Sequence, residues 1–304
     1  MNLKGAFWLA AGILLVGAIL SFTDPSQLAR VRLPFFAAAV LAFLLSTVLW
    51  GVAWGVLAGI SPQRAVRINT ASLAGVFAPA GLGGDALRAH LLPESAPRAL
   101  AASFITKSLK LVFTSAFLAV AMLLLSTYRQ FSLYLPVYLA ALAFTLFAAV
   151  AFVSPAILPG PFSWLSRKLL SGRGENFVGE FRRLLHSRGV SRIGAALLLL
   201  LVSSLLEFAA VYLTLYSAGA VEEVVKAFVF SSFINSLALI TITPQGIGFV
   251  EGGGYLMLTA NYWAVSPKFV GIFLIAWNLV RFWIPTIVGS VFLFRQKSRK
   301  MKKW

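Results

Sequence analysis

Apolar positions in this chain form long continuous runs instead of alternating with polar ones. Several runs reach the roughly 20 residues that a helix needs to cross the hydrocarbon core of a bilayer. The pattern predicts membrane spans over 5–22, 33–60, 99–127, 133–153, 193–217 and 269–294. Continuous runs argue against a transmembrane β-barrel, whose strands alternate apolar and polar residues. We therefore predict an all-α polytopic membrane protein.

Two further apolar segments, 68–92 and 227–260, are each interrupted by a short glycine-rich motif. The first motif is Pro79-Ala80-Gly81-Leu82-Gly83-Gly84-Asp85, and the second is Pro244-Gln245-Gly246-Ile247-Gly248, followed by Glu251. Proline removes a backbone donor and glycine lowers helix propensity, so both segments are expected to be broken helices. Broken helices at corresponding places in two halves indicate a transporter binding site. The alternative is that each segment simply crosses the membrane.

The distribution of charged residues predicts how the chain is oriented in the membrane. The net charge is +17, from 26 basic and 9 acidic residues. In a soluble protein this excess would suggest nucleic acid, but here the bases flank the spans, which is typical of topology signals and of attraction to anionic lipid. The positive-inside rule assigns the basic linker 154–192 and the basic tail 295–304 to the cytoplasm, and with them both termini. The acidic loop 219–226 then faces outward, and Arg30 and Arg32 are a minor violation.

With this orientation the two broken segments begin and end on opposite faces of the membrane. They are predicted to be re-entrant hairpins in two inverted-topology repeats. The first repeat is 1–153 with its hairpin at about 68–92, and the second is 193–304 with its hairpin at about 227–260. The linker 154–192 between them is expected to be cytoplasmic, basic and amphipathic.

Within the linker, apolar residues recur at helical spacing while arginines occupy the other faces. The apolar positions are Phe177, Phe181, Leu184 and Leu185. This pattern predicts a helix that lies on the anionic cytoplasmic surface of the membrane. For 171–175 a solvated connector is an equal alternative.

Ionisable side chains inside predicted spans are costly and therefore point to function. Six stand out: Asp85, Lys107, Lys110, Glu207, Glu251 and Arg281. Lys107 and Lys110 share a helix face with Ser103 and Thr114, a polar stripe suited to a phosphate or another anion. The alternative, stronger for Lys107, is that the lysines extend to the interface.

The acids admit two roles each. Asp85 is expected either to cap the helix that follows Gly84 or to help its N-terminus meet an anionic headgroup, with Arg88 as a local partner. Glu251 precedes Gly252–Gly254, and it is expected to accept a proton or to pair with a base.

Arg281 precedes Pro285, which is expected to kink the last span. A buried arginine needs a carboxylate or a phosphate, and Glu207 is the expected partner. Asn69 and Asn235 are expected to brace backbone carbonyls freed where the helices break.

No motif for catalysis is present. The chain has no cysteine, which excludes thiolate metal sites. Its two histidines, His90 and His186, leave little for an imidazole metal site. There is no Walker loop and no metalloprotease motif. No cofactor, metal or catalytic residue is predicted. Tryptophans such as Trp50, Trp54, Trp263 and Trp304 are expected to be interfacial anchors.

The stretch Pro79-Ala80-Gly81-Leu82-Gly83-Gly84-Asp85-Ala86-Leu87-Arg88, with the later Pro244–Gly248 and Glu251, resembles the lysylphosphatidylglycerol synthase transmembrane, or flippase-like, family. The resemblance implies a multi-pass protein of the cell inner (plasma) membrane that moves lipids between leaflets. Bifunctional members carry an appended soluble synthase domain. This chain is expected to be the stand-alone form, unable to aminoacylate a lipid by itself and served by a separate lipid-modifying enzyme.

The leading hypothesis is thus a flippase that moves an anionic phospholipid, an aminoacyl-phospholipid or a related lipid by alternating access. Its partners would be membrane lipids and a second copy of the chain, with no nucleic acid. The candidate substrate-binding residues are Gly81, Gly83, Gly84, Asp85, Arg88, Lys107, Lys110, Gly246, Gly248, Glu251 and Arg281. Asp85, Glu207 and Glu251 are candidates for ion coupling or structural pairing. The alternatives are a membrane enzyme acting on a lipid phosphate or sugar and a secondary transporter of a small anion.

Overall fold

The structure is a computed structural model that describes most of the chain. The described residues are 29, 31–75, 82–126, 135–150 with gaps, 177–186, 189–240, 249–259, 263 and 265–301. Over these residues the regular structure is helical throughout, with no strand, so the prediction of an all-α protein is confirmed for them. The predicted span 5–22, Gly81 and the second motif, Pro244–Gly248, lie outside the described residues.

Ten α-helices are labelled here in chain order. They are α1 (Leu33–Ala58), α2 (Pro62–Ser72), α3 (Leu82–Leu91), α4 (Ala96–Leu125), α5 (Phe177–His186), α6 (Gly189–Ser217), α7 (Val224–Ile240), α8 (Phe249–Thr259), α9 (Pro267–Asn278) and α10 (Ile284–Met301). Short 3₁₀ turns follow α2 (Leu73–Gly75) and precede α4 (Pro93–Ser95). A π-helical turn, Leu279–Trp283, joins α9 to α10.

Among the described residues, four helices are long and apolar enough to cross a membrane. They are Leu33–Ala58, Ala96–Leu125, Ser191–Ser217 and Pro267–Phe294. These four match predicted spans, so the membrane assignment is confirmed. The predicted span 133–153 contains a shorter apolar helix, Tyr138–Phe147.

The chain folds back on itself across the first motif. Helix α2 ends at Ser72, a 3₁₀ turn continues to Gly75, and α3 begins at Leu82. A Cβ atom on Gly75 would lie 2.6 Å from the carbonyl of Gly83, and one on Gly84 would lie 3.3 Å from the carbonyl oxygen of Ser72. The approach at Gly75 requires glycine, because any larger residue would push the end of α2 away from the start of α3. A Cβ on Gly84 would require a shift of only a few tenths of an ångström.

Helix α1 packs along α6, and the core divides into two clusters toward opposite ends of this pair. One cluster surrounds Trp54, Leu57 and Leu200, between α1, α4 and α6. The other contains Phe230 and Phe273, among many side chains of α4, α6, α7, α8 and α9. Together they leave the polar side chains described below enclosed between helices.

Helix α5 is amphipathic, as predicted, but protein covers its apolar face. Phe181 has no exposed area and Leu184 is buried, both in the same cluster as Leu57 and Leu200. Arg182 and Arg183 are exposed on the opposite side. The expectation that this face lies on the membrane surface is therefore wrong for Phe181 and Leu184, because α4 and α6 provide the apolar surface that they need.

Arg32, one of the two bases that violate the positive-inside rule, is neutralised by local contacts. Its guanidinium lies 3.7 Å from Glu222 and stacks 4.8 Å from the ring centroid of Tyr216. Its backbone N–H donates to the carbonyl of Ser217 at 3.0 Å. The start of α1 is thereby held to the end of α6, and Arg30 lies outside the described residues.

Candidate functional site

Asp85 is the centre of the first polar network, the Asp85 network, which also contains Arg88, Lys107 and Asn69. Asp85 lies in the first turn of α3 and is 3% exposed. One carboxylate oxygen accepts a hydrogen bond from Arg88 at 3.1 Å, and the other accepts one from Lys107. The expected local pair with Arg88 is confirmed. Lys107 does not extend to the interface as the alternative had it, because its ammonium is paired inside the bundle.

The guanidinium of Arg88 is held on several sides. It donates to Asn69 Oδ1 at 2.6 Å and to Ser103 Oγ at 3.4 Å. Its central carbon lies 5.7 Å from the ring centroid of Trp54, within the range of a cation–π interaction. Asn69 in turn donates to the carbonyl of Thr47 at 2.9 Å. The network therefore ties α3 to α1, α2 and α4.

Asn69 reaches this position because α1 has a glycine opposite it. A Cβ atom on Gly51 would lie 2.8 Å from Cβ of Asn69. Asn69 thus braces a carbonyl of α1, Thr47, rather than a carbonyl at the break. The sequence-based expectation had the right chemistry and the wrong acceptor, since the spacing of residues says nothing about which neighbouring helix an amide faces.

The second polar network, the Lys110 network, contains Lys110, Glu207, Ser46 and Ser203. Lys110 donates to Glu207 Oε1 at 2.5 Å, and Ser46 donates to the same oxygen at 3.1 Å. Ser203 donates to the carbonyl of Ser46 at 3.0 Å. The network joins α4, α6 and α1, so it connects residues from the two halves of the chain.

This arrangement corrects one expectation. Glu207 is not the partner of Arg281, because Glu207 lies on the face of α6 that packs against α1 and α4. Arg281 pairs with Glu251 instead, at 3.4 Å, and both side chains are buried. Glu251 lies in the first turn of α8, which packs beside α9.

The π-helical turn determines where Arg281 lies. Pro285 has no N–H and its ring would collide with the carbonyl four residues earlier in a regular α-helix. The chain widens there, and the N–H of Ile284 bonds to the carbonyl of Leu279. Such π turns occur frequently at functional sites. The expected distortion at Pro285 is thus a widened turn that contains Arg281.

Trp50 lies between the two networks, a role that the sequence did not reveal. Its ring centroid is 4.0 Å from the Lys110 ammonium and 5.9 Å from the guanidinium carbon of Arg88. Trp54, in the next turn of α1, is completely buried and donates to the carbonyl of Ala99 at 3.1 Å. The expectation of interfacial anchors is wrong for Trp54. One signal in the sequence was available: Trp50 and Trp54 are four residues apart, as are Gly51 and Gly55. Residues at this spacing lie on one side of a helix, which here is the side that packs against protein.

The remaining predicted residues are five glycines of the two motifs and Asn235. Gly83 and Gly84 lie where α3 meets the end of α2, so their described contacts are packing contacts. Gly81, Gly246 and Gly248 lie outside the described residues. Asn235, on α7, donates to Ser231 Oγ at 3.4 Å and lines a pocket that it shares with Glu207.

Buried charge in these contacts is nearly balanced. Four bases (Arg88, Lys107, Lys110 and Arg281) face three carboxylates (Asp85, Glu207 and Glu251). In the contacts between described residues, the Asp85 network has two cations and one carboxylate, whereas Lys110 with Glu207 and Arg281 with Glu251 are one-to-one pairs. Charge at membrane depth is costly, and among the described contacts the Asp85 network is the one where two bases meet a single acid.

Comparison with known proteins agrees with the motifs and the fold. The sequence model of the family described as Lysylphosphatidylglycerol synthase TM region matches residues 7–289. No curated protein matches the chain. The family and the apolar helices together indicate a membrane protein with a lipid-related function. The resemblance suggested by the two motifs is confirmed, and the chain belongs to the lysylphosphatidylglycerol synthase transmembrane-region family.

Proposed function

We propose that the protein is a lipid translocase that moves a phospholipid with an anionic headgroup between leaflets. The observation that carries the proposal is the unbalanced charge of the Asp85 network, where Arg88 and Lys107 share one buried carboxylate. A headgroup phosphate would add a second negative charge beside these two bases and accept charge-assisted hydrogen bonds from both. The acyl chains would stay in lipid.

An inverted pair of repeats would supply the alternating access that such transport needs. We infer the equivalences α1 with α6, α2 with α7, α3 with α8, and α4 with the continuous α9–α10 span. The packing of the described helices supports them. Helix α1 packs on its counterpart α6, α2 packs on α10, and α7 packs on α4. These are the reciprocal contacts that a two-fold relation between the halves generates.

The ion pairs support the same equivalence. In each half an acid lies in the first turn of the helix after the glycine-rich motif, Asp85 in α3 and Glu251 in α8. Each acid pairs with a base on the long span that follows, Lys107 in the first half and Arg281 in the second. We infer from this repetition that both broken segments are re-entrant hairpins entering from opposite faces. The basic linker and tail support a cytoplasmic location for both termini in a cell with an inner membrane.

The contact between the halves is close enough to act as a pivot. A Cβ atom on Gly289 of α10 would lie 2.7 Å from the backbone nitrogen of Ala74 and 2.8 Å from the carbonyl oxygen of Thr70. Small residues at a helix contact let the backbones approach closely, and we infer that one half rotates against the other about this contact. Movement would be downhill or coupled to an ion, with Asp85, Glu207 and Glu251 as the candidate proton carriers.

The direct test uses purified protein in vesicles that contain an acyl-labelled fluorescent anionic phospholipid. A membrane-impermeant reductant bleaches the outer leaflet, and the rate of loss of the protected signal measures transport. The protein should accelerate this loss over that in protein-free vesicles. The double substitution Arg88→Gln and Lys107→Gln should slow it at least about tenfold, because charge-assisted hydrogen bonds to phosphate are lost.

Ser115→Ala is the matched control. Ser115 is a buried residue of α4 that donates to Thr145 at 2.8 Å, and it takes no part in either network. This variant should transport at the unmodified rate. A protein that leaves the rate unchanged for a panel of anionic phospholipids would refute the proposed function.

A further inference from the structure

A small polar pocket lies between α4, α6 and α7, beside the Lys110–Glu207 pair. Its polar lining consists of Thr114, Ser204, Glu207, Ser231, Ser232 and Asn235. A volume of about 10 Å³ is open to the centre of a water-sized group, which is enough for about one such group. Because α4 belongs to the first half of the chain and α6 and α7 to the second, the pocket lies at the boundary between the halves.

The lining supplies mainly oxygen atoms with unused lone pairs. Thr114 and Ser232 donate their hydroxyl hydrogens to backbone carbonyls one turn earlier, at 3.0 and 2.9 Å, so their oxygens remain acceptors. Asn235 uses its amide nitrogen on Ser231, which leaves its amide oxygen. Both described hydrogen bonds to Glu207 end on Oε1, which leaves Oε2. The pocket is therefore rich in acceptors, and one of them belongs to a carboxylate.

Ser204 is an independent sign that the pocket holds a ligand. It is 7% exposed and lines the pocket, and its hydroxyl has no hydrogen-bond partner among the described residues. A buried hydroxyl without a partner costs free energy, and each such group requires a reason. A ligand in the pocket would give this hydroxyl a partner.

The chemistry of the lining selects a cation. The carboxylate of Glu207 would repel an anion, and a water molecule has only two hydrogens to donate to acceptors that come from three helices. Hard cations, in contrast, are bound by several oxygen ligands at once. Three rings, Phe117, Phe208 and Phe228, complete the lining, and aromatic faces attract cations.

Size and charge narrow the class of cation. The pocket admits one dehydrated ion without its hydration shell, and it is too small for a trimethylammonium group. One carboxylate does not balance a divalent ion, and no cluster of three or more carboxylates, imidazoles or thiols occurs in the part of the chain that the structure describes. A monovalent alkali-metal ion, sodium or potassium, meets both conditions.

The first half of the chain has a fixed cation at the corresponding place. With α2 equivalent to α7, Asn69 corresponds to Asn235, and each asparagine precedes the acid of its half by the same number of residues. In the first half the guanidinium of Arg88 donates to Asn69 Oδ1 at 2.6 Å. Counted from the acids, the residue that corresponds to Arg88 is Gly254. The second half thus has no side chain at that position to meet its asparagine, and a bound ion would take its place.

We propose that this pocket binds one dehydrated alkali-metal cation, which competes with Lys110 for the carboxylate of Glu207. The Lys110 ammonium lies 2.5 Å from Oε1, so a cation on Oε2 gives one carboxylate two positive neighbours, and surplus charge at membrane depth is costly. Binding therefore loosens the Lys110–Glu207 pair, while Lys110 keeps the ring of Trp50 at 4.0 Å. Because this pair joins the two halves, the cation changes how firmly they are held together.

The binding site stands independently of the proposed function, but its use in transport rests on that function. In a lipid translocase the cation would be the coupling ion. Its entry would weaken the link between the halves and let them move, and its gradient across the membrane would set the direction of net movement.

The test measures cation binding by thermal unfolding of the purified protein in detergent micelles. Choline chloride is replaced stepwise by sodium chloride or potassium chloride at constant ionic strength, because choline is too large for the pocket and the screening of surface charges then stays fixed. A cation that binds the folded protein raises the unfolding temperature with its concentration, which gives an apparent dissociation constant. Sodium or potassium should produce this rise, and the comparison shows which ion the pocket prefers.

Three variants locate the effect in the pocket. Ser204→Ala and Thr114→Val each remove one oxygen and should weaken cation binding about tenfold, because a polar contact with a charge is lost. Lys110→Met should strengthen binding at least about tenfold, because without the competing ammonium Glu207 has lost its counter-ion. Ser115→Ala is the matched control, since this buried neighbour of Thr114 does not line the pocket, and it should bind the cation like the unmodified protein. The two small truncations test the site even if Lys110→Met does not fold.

Equal unfolding temperatures in sodium, potassium and choline would overturn the site, as would binding that neither Ser204→Ala nor Thr114→Val weakens. Unchanged binding in a folded Lys110→Met variant would refute the competition with Lys110. In the vesicle assay a gradient of the bound cation should accelerate lipid movement in one direction, and an unchanged rate would refute the coupling role. If a cation binds and no lipid is transported, the proposed function fails and the site stands. If lipids are transported and no cation binds, the proposed function stands and the site fails.

Discussion

The Lys110–Glu207 pair offers the sharpest test of how the two halves of the protein are held together. Lys110 lies on α4 in the first half and Glu207 on α6 in the second, and their charged atoms are 2.5 Å apart. About a tenth of each side chain is exposed. Lys110→Met or Glu207→Leu alone leaves one charge buried without its counter-ion, and the double substitution removes both charges.

The structure sets the expected magnitudes. Breaking a buried pair from one side costs about 3–5 kcal/mol, whereas replacing both partners with apolar residues of similar volume is often neutral. The remaining partners moderate the single losses, since Lys110 keeps the ring of Trp50 at 4.0 Å and Glu207 keeps Ser46 at 3.1 Å. We therefore expect each single substitution to cost about 3 kcal/mol and the double substitution less than about 1 kcal/mol.

The measurement is a double-mutant cycle on the free energy of unfolding, obtained by titrating the purified protein in mixed micelles with a denaturing detergent. Ser115→Ala, which removes one buried hydroxyl of α4 outside the networks, calibrates the cost of an ordinary buried truncation. Additive single losses, with a coupling energy below about 0.5 kcal/mol, would show that the two charges do not depend on each other. The assignment of the pair as the link between halves would then be wrong.

Three further predictions concern the glycines and the unbalanced charge. Gly51→Ala should lower the free energy of unfolding by about 1–3 kcal/mol through its contact with Asn69, whereas Gly194→Ala, where a Cβ meets nothing within 4 Å, should raise it by about 0.5–1 kcal/mol in the same assay; equal effects would contradict this. Gly289→Ala should slow transport in vesicles more strongly than its loss of folding free energy in micelles accounts for, because the added Cβ would collide with the backbone of Thr70 and Ala74 in the other half; a normal rate would argue against a pivot there. Asp85→Asn should lower the free energy of unfolding by about 3–5 kcal/mol in a lipid-free micelle. Added phosphatidylglycerol should restore part of this stability, measured by thermal unfolding; no restoration would mean that phosphate does not reach the two bases.

The sequence predicted the spans because their cause is local. A run such as the one that contains α4 is long and apolar enough to cross a bilayer whatever surrounds it, and its predicted and observed limits, 99–127 and Ala96–Leu125, differ by a few residues. The Asp85–Arg88 pair was predictable for the same reason, since residues three apart on a helix are neighbours. Local periodicity therefore determined both.

Pairs of residues far apart in the chain could not be predicted from local sequence patterns. Which face of a span meets which neighbour depends on how the helices rotate and pack, so Arg281 was assigned to Glu207 instead of Glu251, and Trp50 and Trp54 were assigned to the membrane interface. Hydropathy identified the apolar face of α5 but not its cover, because lipid and protein are equally apolar to Phe181. Contacts between halves, such as those of Lys110, require the tertiary structure.

The π-helical turn at Leu279–Trp283 changes the helical phase within the last span, so that the parts before and after it pack against different neighbours. Upstream of it the span faces α8, and downstream Gly289 meets the end of α2. A π turn accommodates one residue more than a regular α-helix, and each residue of an α-helix advances the face by about 100°. Deleting one residue within the turn would straighten the span and rotate α10 by about that angle, so Gly289 would leave Thr70 and Ala74 while every side chain in the contact stayed the same. The geometry of the two halves would then change through helix phase alone, without any substitution at their contact.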